Sequence, residues 1–235
     1  MRPVWLVAFL LAATPACAQV LQPVDLELVL AVDTSTSVDA DEFALQTQGL
    51  AEAFLHPDVI AAIRNAGVNG VAVAVVQWAG EDAQATVIDW QVVRDGQTAA
   101  RLSRKLAATP RAIKGLTDIA GAIRHSLNAI MTNHFAGARQ VIDVSGDGSS
   151  DAASSEAARD EANANGVTIN GLVIHNIDYS LGELANIDLA RHYTSHVIGG
   201  PGSFMMTAKD YDDFRTAIRR KLVREITGPL AATLQ

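Results

Sequence analysis

Leu26-Glu27-Leu28-Val29-Leu30-Ala31-Val32-Asp33-Thr34-Ser35-Thr36-Ser37 is the stretch from which the rest of the chain is read. A run of branched apolar residues of this length predicts a buried strand. It closes in the carboxylate of Asp33 and the hydroxyls of Ser35 and Ser37 at every second position, so the strand tip presents hard oxygen donors. Mg²⁺ takes oxygen ligands in near-octahedral geometry and keeps several waters. Neutral hydroxyls beside few carboxylates would leave such an ion with positive charge to offer an outside ligand. An Asp/Ser-rich segment after a strand also suits an N-cap and turn, so Asp-x-Ser-x-Ser by itself leaves both readings open.

Two later stretches add weight. Gly115-Leu116-Thr117-Asp118 opens an apolar-periodic helix, and Val141-Ile142-Asp143-Val144-Ser145-Gly146-Asp147-Gly148 is a second strand ending in a carboxylate. With all three in view, the sequence resembles the von Willebrand factor A domain and its metal-ion-dependent adhesion site. The resemblance implies that Asp33, Ser35, Ser37, Thr117 and Asp147 stand at the five metal-site positions, the hydroxyls binding directly and the carboxylates partly through water. It departs in one place: where that family usually has Thr-Asp-Gly, this chain has Gly146-Asp147-Gly148. Arg139 to Gly148 together with Val197-Ile198-Gly199-Gly200-Pro201-Gly202 resembles an exported bacterial subfamily of such proteins, labelled as a domain of unknown function.

Residues 1–18 combine an early Arg2, an apolar core from Val4 to Ala13 and the small residues Ala16-Cys17-Ala18. This is the pattern of a secretory signal, and its apolar core is too short for a stable membrane anchor. Cleavage after Ala18 would remove the single cysteine and leave 217 of 235 residues, a length suited to one α/β domain over 19–235. A lipoprotein that keeps Cys17 is the alternative, although Thr14-Pro15-Ala16 matches its signal poorly. The formal charge of −8 would become −9 with the loss of Arg2. A chain this acidic, without a basic stripe, is poorly suited to a phosphate backbone, so no nucleic-acid partner is expected.

Along the chain, Asp39 with Glu42 predicts a capping box ahead of a helix carrying Phe43, Thr47, Leu50 and Phe54. Val71 to Trp78 and Ala85 to Val93 read as strands separated by Gly80-Glu81-Asp82, too short a link for anything but an antiparallel hairpin. Helices are expected at Thr98 to Ala107, after Thr117, at Ala152 to Ala164, at Tyr179 to Ala190 and from Asp210, with strands at Gly166 to Ile174 and Ser203 to Thr207. Asp143 inside a strand needs a partner if buried, either by orienting a site loop or by ending the apolar stretch. Asp143-x-Ser145-x-Asp147-Gly148 also imitates half a calcium loop, but the twelfth position is Ser154 and the lead-in is a strand. His192 and His196 have zinc spacing for a helix, yet Tyr193-Thr194-Ser195 and Val197-Ile198 favour extended chain, which would separate them. Arg219, Arg220, Lys221 and Arg224 read as cations complementing the dipole of the last helix.

The expected fold is a doubly wound α/β domain, with a mostly parallel central sheet, one antiparallel edge strand and helices on both faces. Ligands bind such sheets at the carboxyl ends of the strands, which would bring the three stretches together. The leading functional expectation is an exported, metal-dependent protein-binding module without enzymatic activity, whose Mg²⁺ (or Mn²⁺ or Ca²⁺) docks an acidic side chain of a protein partner. A metal-assisted phosphohydrolase and a structural domain with a vestigial site are the alternatives. The first lacks the second carboxylate two residues after Asp33, where Ser35 stands. A serine hydrolase fits poorly, since Ser145 lies outside any Gly-x-Ser-x-Gly elbow.

Overall fold

Leu26–Asp33 is a strand buried along its whole length, as its unbroken apolar run requires of a sheet covered on both faces. A computed structural model describes residues 20–175 and 188–228. The expected signal at 1–18 lies outside the described residues, as does most of the helix expected at Tyr179 to Ala190.

In chain order the elements are β1 (Gln22–Val24), β2 (Leu26–Asp33), α1 (Ala40–Leu55), α2 (Pro57–Ala66), β3 (Val71–Trp78), β4 (Gln84–Val93), α3 (Gly96–Ala108), α4 (Ile119–Met131), β5 (Phe135–Gly137), β6 (Gln140–Gly146), α5 (Ala152–Ala164), β7 (Thr168–Ile174), a π-helical turn (Tyr193–Val197), β8 (Met205–Ala208) and α6 (Tyr211–Thr227). The main sheet has the order β4-β3-β2-β6-β7-β8. All its pairs are parallel except β3 with β4. That hairpin turns at Asp82, whose φ of 57° puts an aspartate in the left-handed region it tolerates better than most residues. A separate two-stranded sheet, β1 with β5, was not expected from the sequence. Its strands have three residues each, too few to show a period.

Side chains alternate across the sheet. Leu26, Leu28, Leu30 and Val32 of β2 join a core with α1, α2, α3 and α6, whereas Val29 and Ala31 join one with α4, α5 and the π-helical turn. Helices thus cover both faces, as the fold class requires. The Asp39 capping box forms as expected, with Asp39 accepting from the Asp41 and Glu42 amides at 2.8 Å and Glu42 accepting from the Asp39 amide at 2.7 Å. His56-Pro57 opens α2: proline takes the first helical position, and His56 caps the helix through its ring.

Two expectations are corrected. Lys221 is no solvated dipole partner, since it is fully buried with its Nζ 2.5 Å from both Asp143 and Glu225. Asp143 therefore finds its partner on α6 rather than in a site loop. Residues 192–197 are helical and not extended, because burial of Tyr193 and Val197 against the sheet outweighs the extended preference of the β-branched residues around them.

Candidate functional site

The carboxyl ends of β2 and β6 lie side by side, because Val32 and Ser145 are register partners. This places Asp33 and Asp147, one residue past each end or at it, on the same edge of the sheet. Asp33 is fully buried. Its Oδ1 accepts the Ser35 amide at 2.7 Å, while its Oδ2 is enclosed and has no hydrogen-bond partner. Ser35 Oγ and Ser37 Oγ are 3.0 Å apart, and Ser37 Oγ donates to Asp147 Oδ1 at 2.7 Å. Tyr211, at the start of α6, donates its hydroxyl to the other Asp147 oxygen at 3.1 Å. Thr117 arrives at the same place by a third route: the position a Cβ on Gly148 would take is 3.1 Å from Thr117 Oγ1.

The loop carrying Ser35 and Ser37 is held from outside. Arg111 donates to the carbonyls of Thr34 (2.6 Å), Ser35 (2.6 Å) and Val38 (2.8 Å), a use of its fork that a lysine could not copy. Gln77 of β3 fixes the Arg111 segment in turn, donating to the Pro110 carbonyl and accepting from the Ala112 amide. Thr36 bonds the Gly115 carbonyl through both its amide and its hydroxyl at 2.7 Å, which ties the first loop to the one bearing Thr117. Gly115 and Gly80 meet backbone to backbone, a Cβ on Gly115 falling 3.2 Å from the Gly80 nitrogen.

Electrostatically the two acids are compensated by hydrogen bonds rather than by a cation among the described residues. Burial pushes the Asp33 carboxyl up to about 7, and the nearby charge of Asp147 adds to the shift against the Ser35 amide. Among the described residues no lysine or arginine forms an ion pair with either acid. Burial, then Asp33 and Asp147, also raise the Tyr193 hydroxyl well above its ordinary value.

Gly146, the departure noted in the sequence, has a steric explanation. A Cβ there would fall 2.7 Å from Asp33 Oδ2, 2.9 Å from the Tyr193 hydroxyl and 3.1 Å from the Trp78 ring. Tyr193 and Trp78 thus occupy the space a larger residue would need. Their hydroxyl and indole nitrogen are buried without partners, as is Asp33 Oδ2. Sequence reasoning missed Arg111, Tyr193 and Tyr211, which are remote in sequence and carry no motif; only the unexplained glycine hinted at a neighbour.

A hard divalent cation suits this donor set. Two close acids, one with an unpartnered buried oxygen, and three hydroxyls form an oxygen environment in which an ion of charge +2 would relieve the mutual repulsion. Among the described residues no three His, Cys, Asp or Glu side chains could hold an ion between them, so such a site would depend on the serine and threonine hydroxyls.

The fold is that of the von Willebrand factor A domain, and solved structures with it align over most of the chain. One is proximal thread matrix protein 1 from the mussel byssus with a zinc-occupied MIDAS motif (TM-score 0.59, 16% identity, 87% of this chain and 48% of that one). Another is the pilus adhesin SpaC from Lactobacillus rhamnosus GG (0.62, 15%, 89% and 31%). A third is the von Willebrand domain of the pilus tip protein Mfa5 from Porphyromonas gingivalis (0.53, 12%, 89% and 98%). The chain spans about half the length of the mussel protein and less of SpaC. It belongs to the DUF1194 family, a protein family of unknown function, whose profile matches residues 23–230. No curated protein matches it.

Proposed function

We propose that this protein is an exported docking module, a single domain over 19–235 released from a signal at 1–18, that binds a protein partner through a divalent cation. Asp33, Ser35, Ser37, Thr117 and Asp147 would hold the ion, Mg²⁺ by preference with Mn²⁺ or Ca²⁺ as substitutes, and an acidic side chain of the partner would complete its coordination. The observation that supports this most is the buried, unpartnered Oδ2 of Asp33 beside a second acid and two hydroxyls. Leu116, 82% exposed beside Thr117, adds an apolar contact at the rim. The adhesive and matrix proteins that share the fold are consistent with a binding role.

Calorimetric titration of Mg²⁺ into the full chain and into Asp33→Ala tests the reading. Saturable binding in the first and its loss in the second is expected; equal affinity rejects the site. Hydrolysis of phosphate or acyl esters by the full chain, abolished by the same substitution, would overturn docking in favour of catalysis.

A further inference from the structure

His192 and His196 belong neither to the oxygen site nor to the core. The helical residues 188–192 run into the π-helical turn, which closes with the Ile198 amide on the Tyr193 carbonyl at 3.0 Å. Isolated π turns of this kind recur at functional sites. Tyr193 and Val197 point inward and are fully buried, so the residues before each, His192 and His196, share one outer edge. Their ring centroids are 5.2 Å apart. Two imidazoles on one tetrahedral ion with Zn–N of about 2.0–2.1 Å have centroids roughly 5 Å apart.

The surroundings prepare both rings. His196 Nδ1 lies 2.7 Å from Glu156 Oε1 of α5. In neutral His196 this contact places the proton on Nδ1 and leaves the lone pair on Nε2, the arrangement by which carboxylates orient metal-binding histidines. His192 Nε2 is enclosed and has no hydrogen-bond partner.

We propose that His192 and His196 form a second metal site, separate from the oxygen site, for a borderline transition-metal ion such as Zn²⁺. Imidazole nitrogen suits Zn²⁺, Cu²⁺ and Ni²⁺, whereas Mg²⁺ and Ca²⁺ seek oxygen. Among the described residues no third His, Cys, Asp or Glu joins the pair on one ion, so the proposed site rests on two imidazole ligands. Glu156 acts as a positioning residue through His196.

The test is a Zn²⁺ titration of the full chain carrying Asp33→Ala, in millimolar Mg²⁺, so that it is independent of the oxygen site. One saturable Zn²⁺ per chain is expected. His192→Gln with His196→Gln should abolish it, and Glu156→Gln should weaken it about tenfold. Absence of saturable binding in the parent, or undiminished binding in the double variant, overturns the proposal. Ring resonances of the parent provide a reading independent of the variants' folding: Zn²⁺ should shift those of His192 and His196, and unshifted signals overturn the site.

Discussion

Asp33 and Asp143 are both buried aspartates on neighbouring strands, and the protein treats them in opposite ways. Asp143 stands opposite Leu30 in the β2–β6 register, three residues from Asp33 along the sheet. It has Lys221 at 2.5 Å, and the same ammonium reaches Glu225, which also accepts from Asn170 at 3.0 Å. Asp33 faces serine hydroxyls and another acid, and among the described residues it has no cation of its own. In one place the fold carries its countercharge on α6; in the other an acidic, oxygen-rich cluster has no cation among the described residues. A buried carboxylate is therefore informative mainly through what the chain has, or has not, supplied to neutralise it.

The largest expected effect breaks the internal cluster. Lys221→Met leaves Asp143 and Glu225 buried without their shared ammonium and should cost about 3–5 kcal/mol in urea unfolding. Asp33→Asn in metal-free buffer should leave stability equal or higher, since it removes a charge that burial already disfavours. Similar losses in the two variants would erase the contrast.

A second prediction concerns the crowding at the oxygen site. Gly146→Thr gives the Thr-Asp-Gly usual in the family the sequence resembles, yet the new Cβ would press on Asp33 Oδ2, the Tyr193 hydroxyl and Trp78. It should cost about 1–3 kcal/mol. Combining it with Tyr193→Phe should recover part of the loss by thermal melting.

Burial, followed by the charge of Asp143, pushes Glu225 up to about 8 despite Lys221, because two acids share one base. A carboxyl raised on folding contributes stability below its unfolded value of about 4.5 and loses it as pH climbs toward 8. Denaturation midpoints should fall across that window, and Glu225→Gln should flatten the fall. The smallest effect is expected at Arg111→Lys, which loses the fork that holds three carbonyls of the serine loop. Mg²⁺ affinity should drop about tenfold by titration while the Lys221 cluster is unaffected.

Local patterns made much of the architecture legible. The unbroken apolar runs of β2 and β3 announced covered strands, the short Gly80-Glu81-Asp82 link required the one antiparallel pair, and Asp39 with Glu42 marked the start of α1. What escaped was set by tertiary context. Lys221 resembled any cation late in a helix until Asp143 was found beneath it, and His192 to Val197 resembled extended chain until the burial of Tyr193 imposed a π-helical turn. Of the proposed site, Asp33, Ser35 and Ser37 stand at a strand tip that suits either a cation or a cap and turn, and grouping them with Thr117 and Asp147 rests on the resemblance. The supports Arg111, Tyr193 and Tyr211 depended on three-dimensional proximity alone.

In crystals of the full chain soaked in Mn²⁺, anomalous scattering locates the ion without assumption. A peak is expected about 2 Å from Ser35 Oγ and Ser37 Oγ, with Asp33, Thr117 and Asp147 around it. Fully soaked crystals with no peak among these five residues would contradict the proposed site.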